Sequence, residues 1–300
     1  MSEYHNPVLL KESVDALVLN AHGAYADATF GGGGHSREIL SRLSEKGRLM
    51  AFDRDADAAS NIPDDSRFTL IHNNFRFIHN YVLRDCPEGL DGILADLGVS
   101  SHQFDTAQRG FSFRFSAPLD MRMNVQGTKT AVDVVNSYAP EELEKILRIY
   151  GEVDNARRMA TLIESARSKA PILSTDDLDN AIAAALPANA GHKTLAKVYQ
   201  ALRIEVNDEM RSLQKFLEGA AESLRKGGIL AVITYHSLED RMVKNFIRYG
   251  NACGDDVRDM FGNRSTALEA VNRKPIVPAE EEIKGNTRAR SAKLRIARKI

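Results

Sequence analysis

Ala-Tyr-Ala-Asp-Ala-Thr-Phe-Gly-Gly-Gly-Gly-His-Ser, residues 24–36, carries the turn on which the fold depends. A short apolar run, Ala24 to Phe30, meets the glycines Gly31 to Gly34, and Ile39, Leu40 and Leu43 then share one helical face until Gly47. That pattern is strand, turn, helix. Leu49 to Phe52 reads as a second strand ending in Asp53, followed by a helix-like Asp55 to Asn61 broken by Pro63. Phe68 to Ile71 reads as a third strand, closing at His72, Asn73 and Asn74. Gly92 to Leu97, with Asp96 at its end, is a fourth, and Gly228 to Thr234 is a fifth, apolar enough to be buried on both faces. Val206, Met210, Leu213, Leu217, Ala220 and Leu224 recur at spacings of four and three, predicting one helix with Gly227 as its C-cap. Strands alternating with helices imply an α/β protein with a parallel sheet, whose ligands bind at the carboxyl ends of the strands.

A crossover between parallel strands needs only ~30 residues, yet about 130 separate Asp96 from Ile229. The excess has helical punctuation. Pro140 stands in a first turn before Leu143, Ile146, Leu147 and Tyr150, with Gly151 behind them, and Ser174 with Asp177 forms a capping box ahead of Leu178 and Ile182. Residues 1–105 and 198–300 are therefore expected to build the sheet domain, and residues 106–197 a small, all-helical inserted domain.

The chain has 300 residues, 43% hydrophobic and 27% charged, as a soluble globular protein with a substantial core has. Cys86 and Cys253 stand apart, without a CxxC or a Cys/His cluster, so a disulfide framework and a zinc site lack raw material. No stretch reaches the ~18 uncharged apolar residues of a bilayer span. A cytoplasmic protein is expected, with no membrane partner. Net charge is −1, but Lys284, Arg288, Arg290, Lys293, Arg295, Arg298 and Lys299 crowd the last residues without an acid. This tail is a foothold for phosphate, a solvated tail or the edge strand of a sheet, in which Lys293, Leu294, Arg295 and Ile296 alternate.

Asp53 follows Gly33 by the ~20 residues expected of an acid that binds a dinucleotide's ribose. A nicotinamide-dependent oxidoreductase is thus one reading. The third glycine of G-x-G-x-x-G is missing, however: it would be Ser36 or Arg37. The register Asp27, Thr29, Gly31, Gly33 instead resembles the acidic-x-Gly-x-Gly-x-Gly turn of class I methyltransferases, with Thr29 in place of the first glycine. On that reading Gly33, Gly34 and His35 line the methionine part of S-adenosylmethionine, Asp53 accepts both ribose hydroxyls, Phe75 packs on adenine and Asn74 reads the adenine edge.

Asp-Ala-Thr-Phe-Gly-Gly-Gly-Gly-His-Ser (27–36), Asp-Leu-Gly-Val-Ser-Ser-His-Gln-Phe-Asp (96–105), Arg-Gly-Phe-Ser-Phe (109–113), Leu-Asp-Met-Arg-Met (119–123), Gln-Ala-Leu-Arg-Ile-Glu-Val-Asn (200–207), His-Ser-Leu-Glu-Asp-Arg (236–241) and Arg-Ala-Arg-Ser-Ala-Lys-Leu-Arg (288–295) closely resemble the MraW/RsmH family. These are bacterial 16S ribosomal RNA (cytosine-N4)-methyltransferases, and the resemblance covers nearly the whole chain. It implies a class I, Rossmann-like, S-adenosylmethionine-dependent sheet with an inserted substrate-recognition domain, methylating one cytidine of the decoding region. The family's cofactor contacts fall on Gly33, Gly34, His35, Asp53, Phe75, Asp96 and Gln103. Its usual Ser-Phe-His at the end of the fifth strand reads Thr234-Tyr235-His236 here. The implied partner is 16S rRNA, within the small ribosomal subunit; a homodimer stays open.

The exocyclic amine of cytosine is a poor nucleophile because its lone pair is delocalised into the ring. An acceptor that bonds its hydrogens and aims the nitrogen matters more than a strong base or a metal. Asp96 is the expected acceptor, with Gly98 allowing close approach, Tyr235 a candidate for stacking, and His236 a hydrogen-bonding group, a proton relay or a plain cap. Arg109, Phe111, Phe113, Arg114, Phe115 and Arg122 form one candidate RNA surface or a strand with one buried face. Arg157, Arg158, Lys193, Lys197 and Arg203 form another, or a solvated helix face. A methyltransferase acting on protein or on another RNA, and a non-catalytic binding module, are the remaining alternatives.

Overall fold

A computed structural model describes residues 7–262, 264 and 266–300. Its strands are β1 (Ala24–Asp27), β2 (Arg48–Asp53), β3 (Phe68–His72), β4 (Leu90–Asp96), β5 (Leu224–Thr234), β6 (Leu268–Ala270) and β7 (Lys293–Lys299). They make one sheet in the order β3-β2-β1-β4-β5-β7-β6. β1 to β5 are parallel, while β7 runs antiparallel to both β5 and β6. The helices, in chain order, are α1 (Leu10–Leu17), α2 (Gly34–Arg42), α3 (Ile78–Asp85), α4 (Ser101–Asp105), α5 (Ala131–Ser137), α6 (Pro140–Ile149), α7 (Ala156–Arg167), α8 (Thr175–Ile182), α9 (Gly191–Asn207), α10 (Glu209–Ser223), α11 (Ser237–Tyr249) and α12 (Glu280–Gly285).

The chain divides into two compact units, residues 7–98 with 210–300, and Val99–Glu209. In the first, the pleat sends alternate residues of β5 to opposite faces. Leu230 and Val232 join Val82, Leu213, Phe216, Leu217 and Val243 on one side, the side of α3, α10 and α11. Ile229, Ala231 and Ile233 join Val14, Leu17, Ile39 and Leu40 of α1 and α2 on the other. Burial on both faces explains the uninterrupted apolar run in the sequence. The second unit encloses its own core of Leu119, Val134, Leu143, Leu147, Met159, Ile163, Leu178, Val198 and Leu202.

The helical punctuation of the second unit forms as expected. Pro140 opens α6, and Ser174 Oγ accepts from Asp177 N at 3.1 Å while Asp177 Oδ2 accepts from Ser174 N at 2.9 Å. The unit's limits nevertheless lie outside residues 106–197. Phe104 already packs against the helical core, and Tyr199, Leu202 and Val206 belong to it.

Three expectations are corrected. The helix drawn through Val206 to Leu224 is two helices: Asp208 adopts a left-handed conformation (φ 50°) that ends α9 after Asn207, and Gly227 lies within β5. Val206 faces the helical core and Leu213 onward the sheet. The alternating Phe111, Phe113 and Phe115 form no strand. Phe111 is buried, Phe113 stacks edge-on with Tyr199 at 5.5 Å, and Phe115 is exposed. Residues 293–299 of the basic tail form an internal strand, paired on both sides, rather than a solvated arm or an edge strand. Arg295, 9% exposed, pairs with Asp240 at 2.7 Å, Lys293 with the same carboxylate at 3.4 Å, and Lys299 Nζ donates to Ala221 O.

Candidate active site at the strand ends

Parallel pairing brings the carboxyl ends of β1, β2 and β4 together, and each ends in an aspartate. Asp27 is fully buried and organises the glycine turn: its carboxylate accepts from Thr29 N at 3.1 Å and from Ser36 Oγ at 2.6 Å. Burial raises its pKa, against the pull of those donors. Gly33, the cap of α2, has φ +75°, and a Cβ there would also stand 2.9 Å from the Phe30 ring, so the turn requires glycine twice over.

Asp53 ends β2 with Oδ2 accepting from Gly31 N and Oδ1 from Asp55 N, both at 2.8 Å. Each oxygen keeps a lone pair. Burial raises this pKa also, with the two backbone donors opposing it. Phe75, just past β3, stands edge-on to Phe216 at 5.2 Å and is half-buried. Asn74 is committed elsewhere: its Oδ1 accepts from Arg76 N at 3.0 Å and its Nδ2 donates to Ser212 Oγ at 3.3 Å.

Asp96 is pushed up to about 6 by burial, while the nearby His35 and a hydrogen bond from Tyr235 pull it down and Asp27 and Glu239 push it up. Its backbone N–H donates to Thr29 Oγ1 at 2.7 Å, its Oδ1 accepts from Tyr235 Oη at 2.7 Å, and its Oδ2 lies 3.8 Å from Nδ1 of the buried His35. His35 Nε2 is 3.2 Å from Val8 O. A carbonyl can only accept, so Nε2 carries the hydrogen and Nδ1 of the neutral ring turns a lone pair toward Asp96. Burial lowers the imidazole's pKa despite that carboxylate. Two acceptors thus face each other across a gap that suits a donor.

Besides the ring expected to stack, Tyr235 brings this hydroxyl to the site. Its ring packs with the α1/α2-side core and against Gly98, whose φ of +99° excludes most side chains and whose absent Cβ would stand 3.4 Å from the ring. His236 caps α11. Its Nδ1 accepts from Glu239 N at 3.4 Å, so Nε2 carries the hydrogen, and Nε2 lies 3.2 Å from Glu239 Oε1. Glu239 was not singled out in the sequence, although it stands three residues after the cap, as a capping box requires. Its Oε2 accepts from Tyr235 N at 2.8 Å.

Gln103 lies in the second unit, where Gln103 and Ser100 form the reciprocal cap of α4. The proposed RNA cations are unequally available. Arg109 donates to Arg122 O and Met123 O, Arg122 pairs with Asp120, Arg203 with Glu209, Lys197 donates to Glu152 O and Arg158 to Ala184 O. Arg114, Arg157 and Lys193 are exposed.

A nucleoside with an amino-acid arm fits this donor set. Asp53 offers one lone pair on each of two oxygens to a vicinal diol, Phe75 an apolar face, the glycine turn close backbone approach, and the gap between His35 and Asp96 a place for an ammonium or amine donor. A model of the MraW methylase family matches residues 2–300. Ribosomal RNA small subunit methyltransferase H of Bacteroides fragilis is 54% identical over 296 residues, covering 99% of this chain and 97% of its own. Its namesake from Flavobacterium johnsoniae is 53% identical over 298 residues, covering 99% and 98%. The crystal structure of a putative rRNA-methylase from Clostridium thermocellum superposes with a TM-score of 0.45 at 14% identity, over 97% of this chain and 95% of that one, a likeness too loose to argue from. Among the described residues no helix is long and apolar enough to cross a membrane.

Proposed function

The chain belongs to the MraW methylase family, and from that premise we propose that it methylates the exocyclic N4 amine of one cytidine in the decoding region of 16S rRNA, within the small ribosomal subunit. The enzyme is an S-adenosylmethionine-dependent methyltransferase of class I fold, consistent with its sheet order and family. The relatives' printed name, which specifies small-subunit ribosomal RNA, supports the substrate. Work on ribosomal RNA supports a cytoplasmic protein.

Asp53, Phe75, Gly33, Gly34, His35 and Asp96 hold the cofactor in this reading. When bound, the cofactor supplies an electrophilic methyl group on a sulfonium. The observation that carries the reaction is Asp96: a half-buried carboxylate at the end of β4 with one oxygen already bonded to Tyr235. With a pKa of about 6 it is mostly ionised at neutral pH, as an acceptor must be. Its Oδ2 accepts an amine hydrogen, which favours a pyramidal nitrogen with a localised lone pair, and it can hold the proton the amine sheds. His236, with Nδ1 occupied, is a donor rather than a base, and through Glu239 it holds the turn that carries Tyr235. The second unit, Val99–Glu209, is assigned to RNA recognition, with Arg114, Arg157 and Lys193 as its available cations.

Methyl transfer from labelled S-adenosylmethionine to small subunits from cells lacking this protein, followed by nucleoside digestion, tests the reading. N4-methylcytidine is the expected product. A different methylated nucleoside would move the target, and cofactor binding without RNA labelling would move the acceptor to protein.

A further inference from the structure

We propose that Tyr235 is a positioning residue for the transfer, its hydroxyl reserving Oδ1 of Asp96 and leaving Oδ2 as the one oxygen that meets the amine. This rests on the assignment of Asp96 as the acceptor of an amine hydrogen. A carboxylate has two equivalent oxygens, and a side chain with free rotation offers either one in several directions. Here the Tyr235 hydroxyl is 2.7 Å from Oδ1, and its proton can go nowhere else, since burial and the neighbouring carboxylate push the phenol's pKa well above its ordinary range. It is a permanent donor. The ring is held in place, because it lies against Gly98 and packs on the α1/α2-side core. Its own backbone N–H is tied to Glu239 Oε2 at 2.8 Å. On the other strand, Asp96 N is tied to Thr29 Oγ1. Both ends of the hydroxyl–carboxylate bond are therefore anchored.

A charge-assisted hydrogen bond of this kind also favours the ionised acid. Asp96 is faced by His35 from α2, Asp27 from β1, Glu239 from α11 and Tyr235 from the end of β5, with Glu282 of α12 acting on Tyr235 itself. Of these, Asp27 and Glu239 disfavour the ionised form and only His35 and Tyr235 favour it. His35 does so only when protonated, and burial disfavours its charged form. Removal of the hydroxyl thus raises the Asp96 pKa from about 6 toward the pH at which the enzyme works.

The test is Tyr235→Phe, which keeps the ring. The Asp96 carboxyl is followed by ¹³C NMR titration of the protein without cofactor or RNA, its signal assigned by its loss in Asp96→Asn. The expected result is a titration midpoint displaced upward by on the order of one pH unit. In turnover, the acid limb of the rate profile moves up by the same amount, so the variant is about three- to tenfold slower at pH 6 and closer to wild type at pH 8.5. Replacing Tyr235 with 3,5-difluorotyrosine, a stronger donor of the same size, moves the midpoint the other way and covers the case in which the phenylalanine variant folds poorly. An Asp96 midpoint indifferent to both replacements overturns the proposal, as does a turnover loss equal at every pH. If the midpoint shifts but wild-type protein methylates no RNA, the positioning role stands and the proposed substrate falls.

Discussion

The acids of the helical unit and those of the strand ends are treated in opposite ways. In residues 99–209, Asp133 and Asp177 are held below the ordinary range by the hydroxyls and N–H groups they cap, and Asp120 is carried below it by Arg122 even though burial opposes this. At the ends of β1, β2 and β4, Asp27, Asp53 and Asp96 are pushed up by burial that their donors do not offset. Asp179, raised to about 6 by burial beside Tyr199, runs against the pattern in the helical unit. The contrast separates two uses of a carboxylate. One kind is ionised at a profit to the fold, and the other is ionised at a cost that a ligand offsets.

The sharpest way to break that comparison is Asp96→Asn. Turnover is expected to fall about 10²- to 10⁴-fold, since the amide accepts more weakly and cannot take a proton. The same change should stabilise the fold. The Asp96 pKa rises from an unfolded value near 4 to about 6 in the native state, so the ionised group destabilises increasingly as pH rises through that window. Thermal unfolding should show a gain of about 1–3 kcal/mol at pH 8 that disappears below pH 4. A loss of stability at pH 8 would place Asp96 with the structural acids.

Asp53→Ala comes next. Losing two bonds from an ionised acceptor should weaken S-adenosylmethionine binding about 10²- to 10³-fold by calorimetry. Unchanged affinity would remove Asp53 from the site.

Asp120→Ala tests the other side. It removes the Arg122 partner and should cost about 1–2 kcal/mol at pH 7, with the opposite pH dependence: the native pKa is depressed, so the contribution is present above the unfolded pKa and lost as pH falls through the native one. Chemical denaturation at pH 7 and pH 3 decides it. The smallest effect belongs to Ser174→Ala, where loss of the α8 cap should cost about 1 kcal/mol and leave cofactor affinity unaltered. A tenfold loss of cofactor affinity there would tie the helical caps to the site and blur the distinction.

How much of this was legible in the sequence follows from what each signal measures. The first five strands and the acids at their ends could be read because apolar runs and their polar terminators are local. The insertion could be read from the distance between Asp96 and Ile229. The break at Asp208 could not: Val206 and Met210 keep the four-residue spacing of a continuous helix, although one faces the helical core and the other the sheet. The alternation of Phe111, Phe113 and Phe115 has the period of a strand, but no neighbouring strand is there to pair with it. At Tyr235 the residue type allows a donating hydroxyl as well as a stacking ring, and only the position of Asp96 across the strand pair shows the donor at work. The cations of the tail look free in sequence because Asp240, which neutralises two of them, lies more than 50 residues earlier.

The place of β7 in the sheet sets an order of events during synthesis. Residues 293–299 fill the space between β5 and β6, so the sheet has a gap until they are made. The helical unit is one continuous stretch, Val99–Glu209, and has everything its core needs about 90 residues earlier. At about 5–20 residues per second, the ribosome spends roughly 5 to 20 s between those two moments. Through that interval β5, once made, closes onto β4, and its far edge stays open until β7 arrives to pair with it.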